Sequence, residues 1–374
     1  MEINDFLIPI DFQSEPWASL ATVSTSFGEL VMLNQQRLSI DDADVALVSI
    51  DGDVNGDQVR QQLYRLNRIS STSRVFDLGH LKRGNGEGDL QVALQEISTY
   101  CMNQRLLLLV LSAERRLEQA VLRSYGKYDF NLLRVDSRFR LNSSSENAFG
   151  ENDLSVLLQE FSNIFSFSSV AFQNYFIDND QLTYLESLGS DLLRLGQLRD
   201  DLRQAEPLFR GAHCVSFDVS SIRSTDFPAQ AEANANGLRA EELCALARYA
   251  GVGTELKTLA LYGMDTMLDW RNQSAGLAAQ LFWHVVESYL NGTLESPAIQ
   301  RTSFEEYLVR FPDSDELLAF YKSALTGRWW FKINDRRIDE DLYVPCLESD
   351  YKSALQLDLP EIWLKYIRKF KEKS

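Results

Sequence analysis

Short apolar runs alternate with stretches of helical spacing along most of the chain. VALVSI at 45–50 ends at Asp51, and VFDL at 75–78 ends at Gly79 and His80. Between them, DQVRQQLYRLNR places Val59, Leu63 and Leu66 on one helical face. The plan then repeats. LQVALQEISTYCMNQ (90–104) predicts a helix, LLLLVL (106–111) a strand buried on both faces, and SAERRLEQAVLRSY a helix capped by Ser112. NLLRVD (131–136) predicts a strand ending in an acid, and the polar residues 137–152 a long rim loop. LSVLLQEFSNIF reads as a helix, VAFQNYF as a strand and QLTYLESL as a short helix. CVSFDV is the next strand, and GLRAEELCALARYAG a helix stopped at Gly251. LKTLALYG (256–263) is a strand, followed by the long helix QSAGLAAQLFWHVVESYLNG. This alternation predicts an α/β protein: a three-layer α-β-α sandwich around a mostly parallel, doubly wound sheet.

Beyond about residue 295 the pattern changes. SFEEYLVRFPDSDELLAFYKSAL predicts two short helices around Pro312. The remainder, TGRWWFKI and then YVPCLESDYKSALQLDLPEIWLKYIRKF, is dense in aromatics. Such density calls for a packing surface, on the main sheet or on a partner chain. The expected organisation is an N-terminal extension (1–40) packed on the core, an α/β domain (41–295), and a helical, aromatic-rich C-terminal extension (296–374) docked on that core.

Charge and composition narrow the partners. The 374 residues carry a formal charge of -17, which repels nucleic acid and anionic membrane surfaces. Cys101, Cys214, Cys244 and Cys346 form no CxxC pair and read as buried free thiols. The opening MEINDFLIPIDF has acids where a secretory signal has a basic flank, and LLLLVL is too short to span a bilayer. The expectation is a soluble, cytoplasmic protein.

Candidate chemistry lies at strand ends. Asp51, Asp136 and Asp218 each close an apolar run, and parallel strands share one C-terminal rim. Two carboxylates there could hold Mg or Mn, pair with basic side chains, or simply cap loops. Arg115, Arg116, Arg138 and Arg140 flank them. A guanidinium offers a metal no lone pair and neutralises a carboxylate instead. His80, His213 and His284 are far apart, and His284 reads as a packed core residue. There is no GxSxG elbow and no GxGxxG fingerprint. RGNGEGD (83–89) lacks the Lys-Ser/Thr ending of a phosphate loop and reads as a surface loop.

The order of these signals resembles the arginase, agmatinase and formiminoglutamase superfamily, the ureohydrolases. VSFDVSSIRSTDFPAQAEANANGLRAEELCAL is similar to the family's strand, Asp-x-Asp, Pro-containing turn, Gly-Leu and helix with an early Glu, with Gly237, Leu238 and Glu241 or Glu242 in the corresponding places. RVDSRFR stands where the family has Asp-Ala-His-x-Asp, and LVLSAERRL where it has a glycine-rich loop bearing a histidine. YGMDTMLDWRNQSAGLAAQL resembles the late Glu-x-Asn-Pro-x-x-Asp segment, with Asp269 and Ser274 at matching spacing. The resemblance covers roughly 40–295 and implies an arginase-like fold.

In that family, four aspartates and two histidines hold two Mn ions, and a bridging hydroxide attacks a guanidinium or amidine carbon. Carried over, only Asp136 and Asp218 persist. Arg115 and Arg138 replace the histidines, Arg140 and Ser220 replace aspartates, and Gly263 replaces the late glutamate. Two carboxylates beside arginines cannot offset two divalent ions. The expected rim is therefore vestigial, with Arg115, Arg138 or Arg140 paired to Asp136 and Asp218. The reading is a pseudoenzyme with a binding, regulatory or assembly role, no catalytic residues and no expected cofactor. A small anionic ligand or a protein is its expected partner, and a homo-oligomer is compatible with the family. The alternative is a Mn-dependent hydrolase of a linear amidine or guanidine C–N bond.

Overall fold

The computed structural model describes residues 3–11, 16–20, 25–33, 43–50, 55–70, 72, 74–86, 88–140, 154–311, 317–333 and 341–372. Asp51 and residues 141–152 of the expected rim loop lie outside this set, as does Pro312.

The main sheet is built from β1 (Leu7–Ile8), β2 (Val31–Leu33), β3 (Ala43–Ile50), β4 (Arg74–Leu81), β5 (Leu107–Ser112), β6 (Phe130–Val135), β7 (Ile164–Phe172), β8 (Asp191–Arg194), β9 (Cys214–Asp218) and β10 (Thr258–Tyr262). Its order is β1-β4-β3-β5-β10-β9-β6-β7-β8, with β2 also on β4. Every pairing is parallel except that of β1 with β4. The N-terminal residues thus add strands to the sheet edge.

Helices lie between the strands: α1 (Trp17–Leu20), α2 (Asn55–Arg65), α3 (Asp89–Asn103), α4 (Glu118–Arg123), α5 (Leu154–Glu160), α6 (Asn179–Ser187), α7 (Leu195–Asp200), α8 (Glu206–Arg210), α9 (Ala240–Gly251) and α10 (Gln273–Asn291). They divide between the two faces. Leu109, Leu133, Phe217 and Leu261 pack with α2, α9 and α10. Leu108, Leu132, Cys214 and Ala260 point the other way, against α3, α4 and α5. Alternate residues of each strand serve alternate faces, which is why these strands read as continuous apolar runs. The result is a three-layer α-β-α sandwich.

The C-terminal part differs from its expected helices. β11 (Phe304–Arg310), β12 (Leu317–Ser323), β13 (Trp329–Ile333) and β14 (Leu342–Cys346) form an antiparallel sheet in that order. Helices follow the sheet, α11 (Glu348–Leu355) and α12 (Glu361–Glu372), and a 3-10 turn at Arg301–Ser303 precedes it. LLAFYKS misleads because both sides are covered: Leu318 and Phe320 join one apolar cluster, Ala319 and Tyr321 another. A short run apolar on both sides does not distinguish strand from helix.

This second sheet is tied to α8 of the main domain by Arg210, which is buried. Its guanidinium grips Glu206 at 2.8 and 3.1 Å, donates to the Trp329 carbonyl at 3.0 Å, and lies 4.1 Å above the Trp330 ring. Smaller corrections concern boundaries and burial. β7 starts before VAFQNYF and ends at Phe172. Cys244 and His284 are half-buried, while Cys101, Cys214 and Cys346 are buried. In the glycine loop, the amides of Asn85 and Gly86 donate to the Asp89 carboxylate, so the chain's own acid occupies that curve.

Candidate functional site

Four neighbouring strands end in one row. Ser112 of β5 pairs in register with Tyr262 of β10, and Tyr262 with Asp218 of β9. Asp136 follows β6, whose Val135 is in register with Phe217. Sheet register therefore brings Asp136 and Asp218 together although they are distant in sequence. Both are buried, each 6% exposed.

Arginines fill the space around them. After β5, Glu114 donates its amide to Ser112 Oγ at 2.9 Å, and a 3-10 turn at Arg115–Leu117 follows. That turn carries Arg115 over the row. Its Nε and Nη2 both donate to Asp218, the latter at 3.1 Å, which is the bidentate fork a guanidinium prefers. After β6 the chain turns so that Arg140 takes φ +51°. This left-handed residue returns its side chain to the rim, where Nε donates to Asp136 Oδ2 at 2.8 Å and Nη2 to Asp218 Oδ1 at 3.3 Å. Ser220 completes the set: its Oγ donates to Asp136 Oδ1 at 3.0 Å and its amide to Asp218 Oδ1 at 2.9 Å.

Arg138 does not join. Its amide donates to Asp136 Oδ1 at 3.2 Å, but its guanidinium lies 4.6 Å from the Phe176 ring and 3.3 Å from Glu232. Arg116 turns to Glu114 at 2.7 Å. Gly263 has a distinct place. It sits at φ +84°, and an added Cβ would lie 2.6 Å from Arg115 Nη2. Only glycine leaves Arg115 its path to Asp218 without backbone strain. Asp269 and Ser274 serve the fold. The Asp269 carboxylate accepts the Ser274 and Ala275 amides at the start of α10, both at 2.8 Å, and Ser274 Oγ accepts the Ala229 amide at 2.9 Å.

A second charged pair lies beneath, unforeseen from the sequence. Arg134 bridges Glu118, the first residue of α4, through both Nε (3.0 Å) and Nη2, and Ser216 Oγ donates to Glu118 at 2.5 Å. The signal was present: Arg134 interrupts an apolar strand two residues before Asp136, and Ser216 stands two before Asp218. Period-two alternation puts each pair on the same face. Above it, the Tyr262 hydroxyl is buried without a hydrogen-bond partner among the described residues.

Electrostatically the two layers balance: three acids (Asp136, Asp218, Glu118) face three arginines (Arg115, Arg140, Arg134). Burial alone would raise both upper carboxyls. The Arg140 and Arg115 guanidiniums overcome it at Asp218 and hold that group at about 2. Asp136 goes the other way, raised by burial and by the Asp218 charge against the pull of Arg140. Asp218 is thus the fixed anion of the pair.

Two Mn ions do not fit this donor set. All four carboxylate oxygens already accept hydrogen bonds, three of them from guanidinium groups. The cavity between the layers measures ≈ 20 Å³, room for about one water. Among the described residues, no group of three or more His, Cys, Asp or Glu side chains comes together that could hold a metal ion.

The fold is the arginase-like three-layer sandwich. Formiminoglutamase from Trypanosoma cruzi, determined with Mn2+, is 19% identical over 69% of this chain and 96% of its own, with a TM-score of 0.59. Formimidoylglutamase from Bacillus subtilis is 12% identical over 70% and 91% of the two chains, with a TM-score of 0.59. Agmatine ureohydrolase of Thermoplasma volcanium is 14% identical over 74% and 97%, with a TM-score of 0.57. At these identities the likeness is one of fold. No protein-family model matches the sequence, and no curated protein matches it.

Proposed function

We propose that this protein is a non-catalytic ureohydrolase-fold protein, a cytoplasmic pseudoenzyme with a binding, regulatory or assembly role. One observation carries the reading: Arg115 and Arg140 stand against Asp136 and Asp218 as fixed cations. A guanidinium can neutralise a carboxylate, but it cannot coordinate a water and lower its pKa as a divalent metal ion would. Among the described residues, Glu118, the third acid of this site, is engaged by Arg134 and Ser216. The charge of -17 favours a protein or a small molecule over nucleic acid as partner. Among the described residues, no helix is long and apolar enough to cross a membrane.

The test is hydrolysis of formiminoglutamate and of agmatine by the full chain in Mn2+-containing buffer. Product release at the rate of buffer alone is the expected result. Steady turnover that disappears in Asp218→Asn would overturn the proposal.

A further inference from the structure

The rim is closed by its own side chains, but a cleft of ≈ 510 Å³ opens elsewhere. This volume is within the usual range for a small-molecule site. It lies away from the rim, along the first halves of β6 and β7, where it is lined by Asn131 of β6 and by Ser166 and Ser168 of β7. Its other walls come from the turn between α6 and β8 (Glu186–Asp191), from α8, and from β14 and α12 of the C-terminal part, so main-domain and C-terminal residues line it together.

Two features indicate what it accepts. The first is charge. The chain is strongly acidic, yet its last segment EIWLKYIRKFKEKS carries Lys365, Arg368, Lys369, Lys371 and Lys373 against Glu361 and Glu372. Lys365, Arg368 and Lys369 line the cleft. The second is the set of donors and carbon surfaces. Lys365 donates to Asp191 and Lys369 to the Phe165 carbonyl at 2.5 Å, which fixes α12 with both ammonium groups toward the sheet. The Ser190 hydroxyl is buried without a partner among the described residues, and Ser166 is 5% exposed. Leu208, Val344 and Pro345 supply an apolar wall.

Four acids, Glu186, Asp191, Asp350 and Glu361, share the lining with these three bases. Asp191 is held by Lys365 and by Ser168 Oγ at 3.0 Å. Asp350 accepts the Leu347 amide at 2.7 Å, and burial raises its carboxyl. Glu186 and Glu361 are exposed.

We propose that this cleft binds a small organic carboxylate. Its carbon body lies on Leu208, Val344 and Pro345, and its charged end faces Lys365, Arg368 and Lys369 with the Ser166 and Ser190 hydroxyls as donors. Charge-assisted hydrogen bonds supply the recognition, and the apolar wall favours a carboxylate over a bare inorganic anion. The site is independent of the rim, so either assignment can fail alone.

Calorimetric titration of the full chain tests it, using acetate, butyrate, succinate and adipate beside chloride, inorganic phosphate and neutral adipamide at matched ionic strength. Saturable binding that tightens along the carboxylate series is expected, with chloride, phosphate and adipamide at least about tenfold weaker. Arg368→Ala, at an exposed position, is expected to weaken adipate about tenfold, and Ser166→Leu to block it by filling the cleft. Circular dichroism melts of both variants confirm that they remain folded. The proposal is overturned by no carboxylate binding, by equal response to chloride, phosphate or adipamide, or by unchanged adipate affinity in folded Arg368→Ala and Ser166→Leu.

Discussion

Replacing Arg115 with alanine removes the two-pronged contact at the rim and leaves Asp218 behind. That carboxylate stays buried at 6% exposure, with the Ser220 amide at 2.9 Å and Arg140 at 3.3 Å. Removing one partner of a fully buried ion pair costs about 3–5 kcal/mol, because the other charge is left uncompensated. Here the Arg115 side chain is 19% exposed and Arg140 remains, so the cost falls to about 2–3 kcal/mol at neutral pH. Protonation gives a similar scale. Asp218 sits at about 2 against an ordinary 3.8, which corresponds to about 2 kcal/mol of stability. The sign follows from the direction. A folded-state value below the unfolded one stabilises above the unfolded pKa, and that stability is lost as pH falls through the folded value. In Arg115→Ala, burial raises Asp218 again, so its carboxyl takes up a proton earlier and the deficit against the parent shrinks on acidification. Urea denaturation followed by tryptophan fluorescence measures this for the parent, Arg115→Ala, Asp218→Asn and the double variant. The expected coupling is about 2 kcal/mol near pH 7, smaller near pH 4. Additive single effects, or a deficit that widens in acid, would refute the reasoning.

Three further substitutions probe the supports around the site. Gly263→Ala places a methyl against Arg115 at a positive φ, and a loss of about 1–2 kcal/mol in the same denaturation assay is expected. Asp269→Ala strips two amide acceptors from the start of α10; a loss of about 1–2 kcal/mol and a lower melting temperature are expected. Arg210→Ala removes the buried contact between α8 and the second sheet at a cost of about 2–3 kcal/mol. Limited proteolysis reads that change as faster release of the C-terminal residues, and an unchanged cleavage rate would show that the second sheet is held by other contacts.

The main sheet was legible because its strands are buried on both faces. LLLLVL, CVSFDV and LKTLALYG carry apolar residues at odd and even positions alike, and helical spacing separates them. The second sheet was not legible, for a related reason. LLAFYKS is also covered on both sides, but no parallel repeat of strand and helix surrounds it to decide its type. At the rim, the strand-end acids Asp136 and Asp218 could be paired from topology alone. Which arginine reaches them could not. Arg138 and Arg140 are equivalent in the sequence, and the left-handed backbone at Arg140 separates them. No local residue pattern announces that conformation for an arginine. Arg134 lies inside β6 and Glu118 at the start of α4, so neither stands at a strand end.

Manganese stoichiometry tests the central claim most directly. The full chain is dialysed to equilibrium against Mn2+ and its metal content measured. With the carboxylate oxygens of Asp136 and Asp218 engaged by Arg115, Arg140 and Ser220, the predicted content is background, far below one ion per chain. About two ions per chain, lost in Asp136→Asn and Asp218→Asn, would contradict it.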